Sequence, residues 1–209
     1  MKRLTILLIS AFMTTVAVLA EAPFEIIYLN CPSVTIDGKT KKTGDTFSPA
    51  GKIRWPKGRR TVMKVRDTES LRQAVIASDM DRQKSNGIMK RLLDSRHLSS
   101  REGLDNDWLL MLRLRLSEPQ YLIDSISIPT GLQTDTDHFF YLVYNLNGDS
   151  INKMLPSGDG DIVIDYSIFT VDGEARRPAD IIADLYYYDA AKEESTLLCE
   201  DVKIYPAEQ

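Results

Sequence analysis

Cysteine, histidine and tryptophan each occur only twice in the 209 residues. Two cysteines, Cys31 and Cys199, exclude a densely cross-linked small scaffold and a multi-cysteine zinc module. The histidines, His97 in DSRHLSSRE and His138 in DTDHFF, have no companion ligand nearby in sequence, which argues against a zinc centre. The chain has no GxSxG, no HExxH and no glycine-rich phosphate loop. No catalytic residue, metal or cofactor is therefore assigned. Beyond the first twenty residues no apolar run is long enough to span a bilayer. There is no repeat of fixed period and no low-complexity tract. What is plentiful is ordinary: a hydrophobic content of 43%, that of a globular chain.

The N-terminus reads MKRLTILLISAFMTTVAVLAEAPFE. Lys2 and Arg3 precede an apolar run to Ala20, and small residues close it at VLA and AEA, the order of a secretory signal peptide. Residues 1–22 are read as that peptide, against the alternative of an uncleaved membrane anchor. The mature protein is then exported, periplasmic or at the cell surface or secreted, with no transmembrane segment after cleavage. An oxidising compartment makes Cys31 and Cys199 a candidate disulfide, closing nearly the whole chain and worth about 4 kcal/mol on the loop-entropy account. The alternative is two buried thiols in separate domains.

Asn, Asp and Gly punctuate the rest, at IDGK, TGD, NLNGDS, PSGDGD and VDGE. These residues tolerate the positive φ of hairpin turns, and short β-prone runs lie between them. A mainly β fold follows, in two parts. Residues 23–83 form a small basic β-domain, an SH3-like β-barrel of about five strands. Its first strand places Ile27, Leu29 and Cys31 on one face. RQAVIAS at 72–78 reads as the return strand of a hairpin with 61–67, in preference to a helix capped by Thr68. Residues 84–107 supply a short helix and a linker. Residues 108–209 form an acidic, immunoglobulin-like β-sandwich of about seven strands. There WLLMLRLRL reads as a half-buried strand with Leu110, Leu112, Leu114 and Leu116 inward, and DIVIDYSIF as a strand with Ile162, Ile164, Tyr166 and Ile168 on one face.

The signal peptide, CPSVTIDGKTKKTGDTF, YLIDSISIP and the YLVYNLNGDSINKML block leading into SIFTVDGE together resemble a family of secreted β-rich proteins from Bacteroidetes. The likeness covers most of the mature chain. It rests on turn and strand signatures, implies an exported bacterial protein, and carries over no activity and no functional residue.

Charge is segregated along the chain. GKIRWPKGRRTVMKVR, residues 51–66, holds seven bases and no acid, although the formal net charge of the whole is -4. Between Lys39 and Arg66 ten bases face one acid, Asp45; from Asp67 onward fourteen bases face twenty-six acids. Lys52, Arg54, Trp55, Lys57, Arg59, Arg60, Lys64 and Arg66 form the candidate site for an anionic partner: an acidic envelope protein, an anionic glycan or a lipid head group. The competing readings are a solvated strand face and docking on the chain's own acidic half. Export and a single Trp55 argue against nucleic acid. Tyr186, Tyr187 and Tyr188 in LYYYDA form a candidate interface, with Tyr187 facing opposite to its neighbours. Asp135 and Asp137, like Asp159 and Asp161, lie two apart; they fit hairpin turns better than a calcium loop or paired hydrolytic carboxylates. The reading is an exported, non-catalytic binding or structural module of the bacterial cell envelope. The alternatives are an envelope hydrolase acting on a glycan or peptide, and an inhibitor or partner of a secreted protease.

Overall fold

The computed structural model describes residues 23–80, 108–158 and 161–207. The expected signal peptide at 1–22, the helix and linker over 84–107, His97 and Asp159 lie outside the described residues. The protein is mainly β.

Residues 23–80 form two sheets. β1 (Phe24–Leu29), β2 (Val34–Ile36), β3 (Lys39–Lys41), β4 (Thr46–Phe47), β5 (Ile53–Arg54), β6 (Val62–Asp67) and β7 (Gln73–Ala77) follow in chain order. The larger sheet runs β4-β1-β6-β7 and the smaller β3-β2-β5. Asp37 and Gly38 take positive φ of 50° and 77°, the backbone that lets a two-residue loop join β2 to β3. Phe24, Ile26, Val34, Ile36, Phe47, Met63, Val65 and Ile76 fill the space between the sheets. Each sheet keeps its own free edges, so the expected barrel is not closed among the described residues.

The face expected for the first strand is corrected. Phe24 and Ile26, not Ile27, point into this core. A bulge between Ile26 and Tyr28 adds one residue to the count, so Leu29 and Cys31 join the same core from the opposite parity. The hairpin reading of 61–78 holds: β6 and β7 pair antiparallel, from Val62 opposite Ala77 to Arg66 opposite Gln73. The organiser of its turn is Asp67, whose buried carboxylate accepts the Glu69 and Ser70 amides, not a Thr68 helix cap.

Residues 108–207 begin with a helix, α1 (Trp108–Leu116), where the alternation of leucines predicts a strand. Period two and a four-residue step both contain Leu112 and Leu116. The structure takes the helical choice: these two are 3% and 2% exposed, whereas Leu110 and Leu114 are 48% and 57% exposed. Leu, Met and Arg are strong helix formers and the run has no β-branched residue, so propensity decides an ambiguous pattern.

The strands that follow are β8 (Gln120–Leu122), β9 (Ser125–Pro129), β10 (His138–Leu146), β11 (Asp149–Met154), β12 (Ser157–Gly158), β13 (Asp161–Asp165), β14 (Thr170–Val171), β15 (Glu174–Ala175), β16 (Ile181–Asp189) and β17 (Glu194–Pro206). A five-stranded sheet, β11-β10-β16-β17-β8, and a three-stranded sheet, β12-β13-β9, contribute to one core, which α1 also enters through Leu112 and Leu116. Within the larger sheet only β17 and β8 run parallel. DIVIDYSIF is not one strand: β13 stops at Asp165, whose carboxylate accepts the Ser167 amide and caps a 3-10 turn over Tyr166–Phe169. Ile162, Ile164 and Ile168 still reach the core, while Tyr166 is only partly buried.

The two orientations open to 108–116 make opposite predictions. Leu112→Ala and Leu116→Ala should each lower stability by about 2–5 kcal/mol, and Leu110→Ala and Leu114→Ala by less than about 0.5 kcal/mol. Urea unfolding of the four variants checks this; equal losses would restore the strand.

Candidate functional site

The basic segment does not form one face. Arg60, just before β6, turns toward the chain's own acidic half. Its Nε donates to Asp79 Oδ2 at 2.7 Å, and its two terminal nitrogens grip both oxygens of Asp180 at 2.6 and 2.8 Å. The guanidinium lies over the Tyr205 ring, 4.0 Å from the centroid. Tyr121 donates its hydroxyl to the other Asp79 oxygen at 2.7 Å and meets Tyr205 edge-on. Chiefly through the Asp180 bonds, the Arg60 pKa rises above its ordinary value. Burial, then the bond to Asp79, raises the Tyr121 phenol.

Beneath these charges Val62 and Ala77 pack with Tyr121, Ile123 and Ala207, a small core shared by both parts of the chain. Asn30 joins the same seam. Its amide nitrogen donates to the Ala207 carbonyl at 2.8 Å, and its side-chain oxygen accepts the Val62 amide at 2.9 Å. Planar, bidentate contact with a carboxylate plus stacking on a ring is a task for arginine that lysine does not perform. One of the eight candidate residues is therefore an internal clasp.

The others scatter. Arg66 pairs with Glu25 across β1 and β6. Arg59 donates to the Asn30 carbonyl at 3.0 Å. Trp55 is partly buried against the N-terminal core. Lys52, Arg54 and Lys57 are exposed and Lys64 half-buried, and none has an ion pair among the described residues. Arg54 sits on the smaller sheet opposite Thr35, and Lys64 on the larger one opposite Tyr28 and Val75.

The tyrosine run is divided by strand alternation. Tyr187 turns inward: its ring packs 5.1 Å from Phe140, and its hydroxyl donates to the Gln133 carbonyl. Tyr186 and Tyr188 stay on the outer face of the five-stranded sheet, where β10 adds Tyr141 and Phe139. Tyr186 stacks on Tyr141 with centroids 5.1 Å apart and planes 12° from parallel, and Tyr188 lies 5.1 Å from Phe139. Register extends the line across four strands, with Met154, Tyr141, Tyr186 and Leu197 directly opposite one another in turn. Met154 is 50% exposed. The hydroxyls of Tyr141, Tyr186 and Tyr188 have no hydrogen bond among the described residues. The result is an outward aromatic row with polar tips, of the kind that favours protein contact. The alternation in HFFYLVYNL already put Phe139 and Tyr141 opposite the buried Phe140, Leu142 and Tyr144; the pairing of β10 with β16 was the missing information.

The remaining polar groups have local partners. Asp135 accepts the Asp137 and His138 amides, the Gln133 side chain and His138 Nδ1. Those bonds, Gln133 first, hold its carboxyl down to about 2. His138 Nε2 lies 3.6 Å from Asp189, the residue opposite it where β10 begins and β16 ends. Asp161 belongs to the three-stranded sheet and accepts from Ser127. Among the described residues no group of three His, Cys, Asp or Glu side chains could hold a metal ion.

The candidate disulfide is corrected. Cys31 and Cys199 are buried free thiols, each embedded in a different core. Burial pushes the Cys199 thiol up, away from the reactive thiolate. A cavity of about 450 Å³ beside it, between the end of α1 and β17, is lined by Arg113, Leu116 and Glu200 among others. Among the described residues no helix is long and apolar enough to cross a membrane.

Arg60→Ala removes the clasp and leaves Asp79 and Asp180 without their cation. Because the acids are partly exposed, the expected loss is about 1–3 kcal/mol. Raising the salt concentration should narrow the gap between wild type and variant in thermal melts. A gap below about 0.5 kcal/mol would return Arg60 to the solvated surface. Comparison with known proteins adds no assignment: no family model, no curated protein and no solved structure matches the chain.

Proposed function

We propose that the protein is an exported, non-catalytic binding module of the bacterial cell envelope, and that its partner is an envelope protein docking on the outer aromatic row. The observation that carries this reading is the row itself, with its exposed Met154 and unbonded phenol tips. Aromatic side chains of this type contribute large contact area with few rotors, and a few of them supply most of the energy of an interface. Export is supported by the basic, apolar and small-residue order of the first twenty-two residues. The two parts suit a small SH3-like unit, open at its edges, and an immunoglobulin-like sandwich, both common as binding modules.

The hydrolase alternative gains little from the site. Asp135 and His138 are committed to a turn, and Asp161 bonds Ser127 in the other sheet. The anionic-partner reading is reduced to Lys52, Arg54, Lys57, Arg59 and Lys64, which have no ion pair among the described residues, since Arg60 and Arg66 are paired within the chain.

The test is affinity capture from an envelope fraction with a tagged protein. Tyr141→Ser combined with Tyr186→Ser should lower recovery of a stoichiometric protein partner by at least about tenfold, and Lys52, Arg54 and Lys57 changed together to Ser should leave it unchanged. If the lysine–arginine triple variant alone loses the partner, the aromatic row is not the docking surface. Recovery of cleaved envelope polymer would favour the hydrolase.

A further inference from the structure

The outermost strands of sheets are usually protected, and among the described residues all but one of them are. β4, β5, β12, β14 and β15 have only two residues each, and β8 has three. β3 carries Lys39 and Lys41, and β11 carries Asp149 and Lys153. β9 ends in Pro129, and the Arg115 side chain of α1 covers its Ser127 carbonyl at 3.2 Å. Short strands, charges, proline and cover are the standard defences against edge pairing. β7, the outer strand of the four-stranded sheet, has them only at its end, where Ala77 is covered: its five residues are QAVIA, without charge or proline, and the edge is open at Gln73 and Val75.

The backbone phase of β7 follows from the bonds at its two ends. The Asp67 amide donates to the Arg72 carbonyl and the Ser78 amide to the Thr61 carbonyl. Bonded and non-bonded pairs alternate in an antiparallel ladder. Ala74 and Ile76 therefore exchange bonds with Val65 and Met63, and Gln73, Val75 and Ala77 direct their amides and carbonyls away from β6. The Ala77 carbonyl is taken by the Met80 amide. The amides and carbonyls of Gln73 and Val75 remain turned to the open edge, whereas Ala77, 1% exposed, is closed off in the core shared with the C-terminal part. The side chains of these three residues share a face of the sheet with Lys64 and Arg66 of β6, opposite Val75 and Gln73.

We propose that β7 is a strand-addition site, taking an extended acidic segment of a partner protein as a fifth strand of this sheet. The backbone supplies the bonds and alternate side chains the selection. Charge chooses the occupant. Residues 23–80 carry eleven bases and six acids, and Lys64, one strand in from the edge, has no ion pair among the described residues. A carboxylate on the added strand, facing the Lys64 side, meets that unpaired cation. A second copy of the chain would instead bring two basic bodies together at the seam. This site is separate from the aromatic row and does not depend on it.

The probe is a capped eight-residue peptide alternating Val and Glu, with a Val–Lys peptide of the same length as control. Amide hydrogen exchange is read on the full chain by NMR. Without peptide, the amides of Gln73 and Val75 should exchange much faster than those of Ala74 and Ile76. The Val–Glu peptide should protect those two by at least tenfold, and the Val–Lys peptide should not. Val75→Pro deletes an outward amide without touching the β6 ladder, and should weaken binding at least tenfold. Where that variant fails to fold, N-methylation of alternate residues in the peptide removes the same bonds from the other side. Equal binding of the two peptides, or unchanged exchange at residues 73 and 75, would overturn the proposal. So would a dimer in sedimentation with these amides already protected, since the occupant would then be a second copy.

Discussion

A single guanidinium ties the two parts of this protein together. Arg60 ends the loop before β6, and Asp79 follows β7, so both belong to the N-terminal hairpin. Asp180 precedes β16, and Tyr205 lies near the end of β17, so both belong to the five-stranded sheet. A planar cation that meets two carboxylates and a ring face at once fixes orientation as well as distance. Beneath it Val62, Ala77, Tyr121, Ile123 and Ala207 form a small apolar cluster, while the two carboxylates keep part of their surface in water. Asn30 adds a neutral bridge, bonding both Val62 and Ala207.

This seam determines which surfaces remain for a partner. It occupies one end of the five-stranded sheet's outer side, where Tyr121 and Tyr205 stand side by side on β8 and β17. The aromatic row is made at β10 and β16 and stays outward. It also explains why an acidic chain concentrates positive charge in one stretch: part of that charge is matched within the molecule. The unmatched remainder, Lys52, Arg54, Lys57, Arg59 and Lys64, is spread over two sheets and the loop segments beside them, so it tunes the field of the N-terminal part without forming a pocket.

Much of the fold was legible in the sequence where turn chemistry was explicit. Asp37–Gly38 and Asn147–Gly148 take positive φ, and the hairpins that they close were expected from IDGK and NLNGDS. The failures have physical causes. Leu110 to Leu116 satisfies two periods at once, and only propensity and the packing of Leu112 and Leu116 separate them. The bulge in β1 changes the parity of Leu29 and Cys31 through a pairing that local sequence does not contain. Arg60 was among the candidates and docking on the chain's own acidic half among the readings, but its acids are 19 and 120 residues away in the chain, so the particular partners were not readable. Tyr186 and Tyr188 were named without Tyr141 and Phe139, because the row exists only once β10 and β16 are neighbours.

The central claim is that the Arg60 seam makes the two parts unfold as one unit. Trp55 packs against the N-terminal core and Trp108 against the C-terminal core, so each tryptophan reports on one part. Denaturant unfolding of Trp55→Phe and Trp108→Phe, followed by the fluorescence of the remaining tryptophan, compares them directly. The account predicts coincident transitions with Arg60 in place and separated transitions once Arg60→Ala is added to each background. Two well-separated midpoints with Arg60 intact would contradict it.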